Sequence, residues 1–196
     1  MEAAGIGSWL KKRQRLTPTK EAVVDGKRRV NYHQLNERVN RLCGALLEMG
    51  LQGGDRIGIL AYNCLEFVEV IMAAAKLGTV LVPLNWRLTA TELAFIINDS
   101  GAETLFFDLE LAKLVEGVRG QQTPLEQFIA FGEKDMPEAR AYETLIANQR
   151  DTEPEIDPAP DLETPHIIMY TAGTTGKPKG AILSQGASFW NVLNLN

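Results

Sequence analysis

Residues 170–180 contain the side chains of this chain that are best suited to chemistry with phosphate. These eleven residues include three threonines, three glycines and two lysines. Glycines let backbone N–H groups turn toward an anion, hydroxyls donate further hydrogen bonds, and lysines add compact positive charge. Mainly apolar runs lie directly before and after, at 166–169 and 181–183. The pattern predicts a polyphosphate-binding loop between two strands.

The spacing of this loop excludes the P-loop of nucleotide triphosphatases. A P-loop has four residues between its two glycines and a Ser or Thr after its lysine. Here only two residues separate Gly173 from Gly176, and Pro178 follows Lys177. Proline lacks an N–H and turns the preceding residue away from helical geometry. The loop is therefore not expected to begin a helix as a P-loop does.

Residues 171–180 instead resemble the Ser/Thr/Gly-rich signature loop of the AMP-forming adenylating enzymes. This family contains acyl-CoA synthetases, aryl-CoA ligases, luciferases and peptide-synthetase adenylation domains, and its pattern reads Thr-Ser-Gly-Thr-Thr-Gly-x-Pro-Lys-Gly. The chain departs from the pattern at Ala172, where Ser is commoner. It also departs at Gln185, in a tail that usually carries His. Neither departure removes a glycine, a threonine of the central pair or Lys179.

Two earlier segments resemble the same family and occur in the family's order. Residues 30–35 resemble its (Ser/Thr)-Tyr-x-x-Leu segment, and residues 76–85 resemble Lys-x-Gly-x-x-x-x-Pro-Leu-(Asp/Asn). The next run, 86–89, is more similar to fatty-acyl and related carboxylate–CoA ligases than to peptide synthetases. The resemblance extends from about Thr17 to the end of the chain.

The resemblance implies an enzyme that joins a carboxylate, expected to be a fatty acid, to the thiol of CoA. The carboxylate attacks the α-phosphate of ATP and releases pyrophosphate, and the thiol then displaces AMP. ATP, Mg²⁺ and CoA are the expected cofactors or co-substrates. The family's later adenine and ribose contacts, magnesium-linked glutamate and C-terminal lid lysine are expected beyond residue 196. The chain, 1–196, is thus predicted to be an N-terminal portion of the adenylating domain, inactive by itself, with a natural short homologue as the alternative.

The same resemblance assigns the candidate phosphate-binding residues, which are Thr171, Ala172, Gly173, Thr174, Thr175, Gly176, Lys177 and Lys179. Thr174 and Thr175 are the strongest candidates for side-chain donors. Lys179 would supply charge or anchor the loop, and both roles stay open. Lys177 occupies the variable position and is expected in solvent. Because the substrate supplies the nucleophile, no catalytic residue is assigned, and no metal ligand is assigned within the chain.

Two other functions compete with the acyl-CoA synthetase interpretation. One is another adenylating enzyme, such as a luciferase-like protein or a peptide-synthetase adenylation module. The other is a non-catalytic phosphate-binding domain that retains the fold. Residues 86–89 disfavour the first alternative, and nucleotide-dependent stabilisation without adenylate formation would support the second.

Composition narrows the class of protein further. The net charge is −5, which does not favour binding to nucleic acid, and no apolar run approaches the length of about 20 residues that a membrane-spanning helix needs. Cys43 and Cys64 lie in apolar helical patterns and are expected as buried thiols in a reducing compartment, so a cytoplasmic location is predicted. His33 and His166 lack metal-ligand spacing and are interpreted as structural. The resemblance also allows a homodimer, since related long-chain enzymes pair through N-terminal domains.

Hydrophobic periodicity predicts alternating strands and helices. Strands are expected at 22–24 and 28–30, which would form a hairpin, and at 56–61, 79–84, 104–107 and 128–131. Helices are expected after Asn31, at 65–77, from Thr89 through Ile97, at 109–118, at 139–148 and after Ser184. Asn31 and Ser184 are candidate helix caps, and Thr89 with Glu92 is a candidate capping box. This order predicts an α/β fold, a doubly wound and mainly parallel sheet with helices on both faces. By resemblance it would be the first part of the large N-terminal domain of an acyl-CoA-synthetase-like fold. Residues 151–165, with four prolines and six acidic residues, are predicted to be an exposed connector within this domain.

Overall fold

The computed structural model describes residues 5–132, 136–171 and 177–194. Within these ranges the main sheet has seven strands: β3 (Arg56–Leu60), β4 (Val80–Pro83), β5 (Thr104–Asp108), β6 (Gln127–Phe131), β7 (Arg140–Ala141), β8 (Pro165–Thr171) and β9 (Lys179–Ser184). Their order is β7-β6-β5-β3-β4-β8-β9. Neighbours are parallel except β8 and β9, which are antiparallel. A separate hairpin pairs β1 (Glu21–Asp25) with β2 (Arg28–Asn31), as predicted.

The described helices cover both faces of the main sheet. They are α1 (Ser8–Leu16), α2 (Tyr32–Glu48), α3 (Leu65–Leu77), α4 (Ala90–Ser100), α5 (Ala112–Arg119), α6 (Tyr142–Ala147) and α7 (Gln185–Asn194). Phe106 of β5 packs in the core beside α2, α3 and α6, whereas Leu105 and Phe107 pack in the core beside α4 and α5. Successive side chains of a strand point to opposite faces, so one strand contributes to both cores. The predicted doubly wound α/β fold is confirmed.

Local signals place the helix ends where the sequence predicts them. The Asn31 side chain caps α2 by accepting from the backbone N–H of Gln34, and the Gln34 side chain returns a bond to the Asn31 backbone. Thr89 and Glu92 form the predicted capping box of α4. Gly101 ends α4 in the left-handed conformation, with φ of 67°. These caps satisfy the backbone N–H and C=O groups that a helix leaves unpaired at its ends.

Two predicted helices are shorter than expected. Residues 109–111 form a 3₁₀ turn before α5, because the Asp108 carboxylate accepts from the Glu110 N–H and starts the chain in a tighter turn. The predicted helix 139–148 is wrong at its beginning. Arg140 and Ala141 instead form β7 and pair with Ile129 and Ala130 at the edge of the sheet, so α6 begins only at Tyr142.

The predicted connector, 151–165, is largely exposed, but its first part is anchored to the domain. The amide of Asn40 donates to the Asp151 carbonyl at 2.7 Å, and Lys76 donates to the Glu153 carboxylate at 2.8 Å. The chain then enters β8, which pairs with β4 in the main sheet. The segment therefore crosses the surface of one sheet-centred unit and is held against α2 and α3.

The surroundings of the two cysteines determine how reactive their thiols are. Cys43 is buried and Cys64 is half-buried, and burial raises the pKa of each thiol to about 12. Both therefore stay protonated and unreactive near neutral pH.

In the part of the chain that the structure describes, no helix is long and apolar enough to cross a membrane. Large apolar side chains are exposed on β9 and α7, with Ile182 67% and Trp190 59% exposed.

Candidate phosphate-binding site

The strands β8 and β9 hold the two ends of the predicted phosphate loop. They pair in register from Ile167 opposite Leu183 to Thr171 opposite Lys179. Five of the predicted binding residues lie outside the described residues: Ala172, Gly173, Thr174, Thr175 and Gly176. The other three, Thr171, Lys177 and Lys179, are described and exposed. The hairpin thus places a threonine and two lysines at the ends of the segment that carries the glycines.

Gly180 permits close packing of the strands just beside the loop. It lies opposite Tyr170 in the strand register. A Cβ atom at Gly180 would lie 2.7 Å from Cγ2 of Ile168 and 2.9 Å from Cζ of Tyr170. Real side chains do not approach so closely, so the Tyr170 ring occupies the space that any larger residue would need. The last glycine of the signature pattern is therefore required by packing, whatever role the loop has.

Replacing Gly180 with alanine is expected to destabilise the protein by about 1–3 kcal/mol, because an added methyl group forces its neighbours off their rotamers. Thermal unfolding would measure the loss. Gly120→Ala is the matched control. Gly120 has φ of −70°, and a Cβ there would meet its nearest atom at 3.6 Å. Equal melting temperatures for the two variants would contradict the packing argument.

A cleft of about 500 Å³ opens beside the loop, at the carboxyl end of β4. Its walls come from the end of β8, the segment after β4, and α4; the lining residues are Pro83, Asn85, Leu88, Thr91, Glu92, Phe95, Ile96, Tyr170, Thr171, Lys177 and Pro178. Ligands of open α/β sheets bind outside the carboxyl ends of the strands. The cleft therefore lies where this type of fold binds small molecules.

Thr171 and Lys177 line the cleft, and Lys179 does not. Lys177 is exposed, as the sequence predicts, and it also lines the cleft. Lys179 lies on the first residue of β9, opposite Thr171. A mainly apolar cleft that is also lined by a hydroxyl and an ammonium group can hold both an organic group and a phosphate.

Tyr170 and Asp99 are two residues near the loop to which the sequence analysis gave no role. The Tyr170 hydroxyl donates to Oδ2 of Asp99 at 2.6 Å and so joins β8 to α4. Burial and the Asp99 carboxylate both raise the pKa of Tyr170, which keeps the phenol protonated near neutral pH. Tyr170 is the residue directly before Thr171, and that adjacency is the one sequence signal that could have identified it.

The first turn of α4 forms part of the wall of the cleft. The Glu92 carboxylate accepts from the backbone N–H and the hydroxyl of Thr89, both at 2.8 Å. These bonds lower the pKa of Glu92. The carboxylate is therefore ionised and engaged with the helix cap, which makes it a boundary of the cleft and a poor candidate for a proton donor.

The run at 86–89, which follows β4, contains an aromatic ring and a cationic group that pack together. The Arg87 guanidinium lies 4.9 Å from the centre of the Trp86 ring, and the Trp86 ring packs edge-on against Tyr62 at 5.1 Å. Asn85 supports this turn, since its Oδ1 accepts from the Arg87 N–H. The segments that follow β3 and β4 therefore meet at one edge of the sheet.

His166 lies on β8 and Gln185 begins α7, and both have structural contacts. His166 is buried between the Ile71 carbonyl and the Ser188 hydroxyl, each 3.3 Å from a ring nitrogen, and burial lowers its pKa. Gln185, which departs from the family pattern, is fully buried. It donates to the Ala75 carbonyl at 2.8 Å and accepts from the Gly7 N–H. Gln185 therefore ties the start of α7 to α3 and to the segment before α1.

The described residues do not by themselves form a site for Mg²⁺. Among residues 5–132, 136–171 and 177–194, no group of three or more His, Cys, Asp or Glu side chains could hold a metal ion. Glu92 is the carboxylate that lines the cleft, and its oxygen is engaged by Thr89.

Comparison with known proteins identifies the signature loop with a family. The family model described as "AMP-binding enzyme" matches residues 10–196. The fatty acid–[acyl-carrier-protein] ligase ScoC of Streptomyces coeruleorubidus is 39% identical over 173 residues, which are 88% of this chain and 31% of that protein. The indoleacetate–CoA ligase of Aromatoleum aromaticum is 35% identical over 191 residues, which are 96% of this chain and 36% of that protein.

A solved structure shows the same architecture. The anthranilate CoA ligase AuaEII, in complex with anthranoyl-AMP, superposes with a TM-score of 0.87 and 25% sequence identity, over 94% of this chain and 35% of that chain. The chain thus spans about a third of the length of the proteins that it resembles.

Proposed function

Because the chain belongs to the AMP-binding enzyme family, we propose that it is the N-terminal portion of an ATP-dependent, AMP-forming ligase. The complete enzyme would activate a carboxylate as an acyl adenylate and transfer the acyl group to CoA. The observation that carries this proposal is the position of the signature loop. Its flanking residues, Thr171 and Lys177, line a cleft at the carboxyl end of β4.

The chemistry asks for positioning and charge stabilisation more than for a protein nucleophile. A carboxylate oxygen attacks the α-phosphorus of ATP, the bond to the β-phosphate oxygen breaks, and pyrophosphate leaves with the electron pair. The thiol of CoA then attacks the acyl carbon and displaces AMP. Hydroxyl, N–H and ammonium groups around the β- and γ-phosphates would stabilise the charge that develops on pyrophosphate. Thr174, Thr175 and Lys179 are the residues that we propose for this task, and Lys177 is added because it lines the cleft.

A fatty acid is the substrate class that we propose, with an aromatic carboxylate as the competing class. The mainly apolar cleft, which includes Leu88, Phe95 and Ile96, is compatible with both. Relatives support both classes, because they include a fatty acid–[acyl-carrier-protein] ligase and an indoleacetate–CoA ligase. The acid must therefore be identified by assay.

The exposed apolar surface of β9 and α7 supports the proposal that this chain is part of a longer enzyme. Ile182 and Trp190 are more than half exposed, and further chain packed over β9 would bury them. An uncovered edge strand with apolar residues is otherwise prone to association.

Three expectations from sequence stay predictions: the use of Mg²⁺, a cytoplasmic location and a homodimer. The proposal gives Mg²⁺ no ligand within the described residues.

Carboxylate-dependent exchange of labelled pyrophosphate into ATP would test the function in the complete protein. We expect exchange with at least one acid of a panel that contains octanoate, palmitate and indole-3-acetate, followed by acyl-CoA formation when CoA is added. Replacing Thr174 and Thr175 together with valine should reduce the exchange rate by roughly 10²-fold or more, because each hydroxyl donates to charge that develops in the transition state.

The control is Thr19→Val, an exposed threonine in the turn before β1, which should leave exchange unchanged. Stabilisation by ATP without exchange for any acid in the panel would contradict the ligase and favour a non-catalytic phosphate-binding domain. Transfer of the acyl group to a carrier protein but not to CoA would correct the proposed thiol acceptor.

A further inference from the structure

We propose that Tyr170 and Asp99 are a positioning pair that holds the start of the phosphate loop in place for ATP. The inference rests on the proposed function, because it assigns these residues to the ATP subsite of the same enzyme. It concerns a hydrogen bond between side chains 71 residues apart, which connects β8 to α4.

The last two residues of β8 pair with β9. In the pairing of β4 with β8, Leu81 lies opposite Ile167. Further along β8, Tyr170 pairs with Gly180 of β9 and Thr171 pairs with Lys179. In the described part of the chain, β9 is one of the two edge strands of the sheet. The last residues of β8 therefore extend beyond β4 as one arm of a hairpin, and a hairpin by itself is marginally stable.

The Tyr170 side chain fixes this arm to the body of the domain. Its ring lies against Gly180 of β9, so it holds both arms of the hairpin, and its hydroxyl reaches Asp99 on α4 at 2.6 Å. Hydrogen bonds to an ionised carboxylate are stronger than those between neutral groups. Since Thr171 is the next residue, any shift of Tyr170 moves the first residue of the loop relative to the cleft.

The hydroxyl of Tyr170 is occupied by Asp99, which distinguishes positioning from direct binding. A tyrosine that bound phosphate itself would depend on its own hydroxyl and not on a carboxylate of α4. A positioning pair depends equally on both partners, and it tolerates any substitution that keeps the donor and the acceptor. Asparagine at 99 retains a carbonyl oxygen that can accept the bond, whereas alanine does not.

The test uses four variants of the complete protein: Tyr170→Phe, Asp99→Ala, Asp99→Asn and the double variant with Phe at 170 and Ala at 99. The dissociation constant for ATP is measured by titration calorimetry, and the KM values for ATP and for the carboxylate by pyrophosphate exchange.

We expect Tyr170→Phe and Asp99→Ala each to weaken ATP binding roughly tenfold, since a hydrogen bond to a charged group is lost. The double variant should be no weaker than either single variant, and Asp99→Asn should stay within about twofold of the unmodified protein. The KM for the carboxylate should not change.

Glu116→Ala, at an exposed position of α5, is the control and should bind ATP normally. Phenylalanine keeps the ring that packs on Gly180, so Tyr170→Phe is expected to fold. This variant therefore tests the pair even if Asp99→Ala does not fold. Additive losses, or a loss in Tyr170→Phe that Asp99→Ala does not share, would overturn the pair. If the unmodified protein binds ATP but exchanges no pyrophosphate, the proposed ligase fails, while the ATP dissociation constants still decide for or against the positioning pair.

Discussion

Replacing Arg38 with methionine is expected to lower the free energy of unfolding by about 3–5 kcal/mol, because the change leaves a buried carboxylate without its main partner. Glu69, on α3, has a side chain that is 0% exposed. Arg38 of α2 donates to both of its oxygens, at 2.5 Å and 3.2 Å, and the Tyr142 hydroxyl donates at 2.6 Å. These three residues connect α2, α3 and α6 on one face of the sheet.

The pH dependence of this loss follows from Glu69. Burial raises the pKa of Glu69 above its ordinary value, although Arg38 and Tyr142 act in the opposite direction. A carboxyl whose pKa is raised by folding favours the folded state at low pH, and this contribution is lost as the pH rises through the folded pKa. Removing Arg38 raises that pKa further. The difference in stability between the variant and the unmodified protein should therefore be largest near pH 7 and smaller near pH 4.

Urea denaturation at several pH values would measure both effects. Arg29→Met is the control, since Arg29 forms an exposed ion pair with Glu21 and the side chains are 63% and 53% exposed. Surface pairs of this kind contribute little to stability, because solvent screens the two charges. A loss for Arg38→Met that equals the control, or that grows toward acidic pH, would show that Glu69 does not depend on Arg38.

Replacing Lys76 with methionine should lower the free energy of unfolding by about 3 kcal/mol, which is a substantial part of the stability of an ordinary domain. The Lys76 side chain is 3% exposed. Its ammonium donates to Oδ1 of Asn36 at 2.8 Å, Oδ1 of Asn40 at 2.6 Å and Oε2 of Glu153 at 2.8 Å. Methionine has a similar length but donates none of these bonds, so three acceptors lose their partner.

Glu153 sets the pH dependence of this second loss. Burial acts to raise the pKa of Glu153, but the hydrogen bonds from Lys76 and Asn36 outweigh it and the pKa is lowered. A carboxyl whose pKa is lowered by folding stabilises the protein above its unfolded pKa of about 4.3, and the contribution is lost as the pH falls through the folded pKa. The penalty of Lys76→Met should therefore be present at pH 7 and decrease below about pH 4.

Thermal unfolding and limited proteolysis would test the role of Lys76. Residues 151–165 should be cut faster in the variant, because Glu153 is the point at which Lys76 holds this segment. Lys113→Met, at an exposed position of α5, is the control and should change neither stability nor cleavage. Unchanged proteolysis of 151–165, together with normal stability, would contradict the anchoring of the connector by Lys76.

Interactions between residues close in the chain were predictable. Asn31 with Gln34 and Thr89 with Glu92 form their capping boxes across three residues, so residue type and spacing suffice to identify them. The predicted cap at Ser184 is also confirmed, since its hydroxyl accepts from the Ala187 N–H. The helix 139–148 was predicted too long because Arg140 and Ala141 pair with β6, which local periodicity does not reveal.

The sequence by itself determined the family, the α/β class and the residues of the signature loop, because these depend on residue types at short, fixed spacings. Only the tertiary structure decided which side chains surround that loop. Tyr170 reaches Asp99 across 71 residues, and Lys76 reaches Glu153 across 77. The order of the strands brings each pair together, and no local pattern encodes that order. The signature loop was therefore recognisable from sequence, whereas the hydrogen bond from Tyr170 to α4 and the anchor of the connector required the fold.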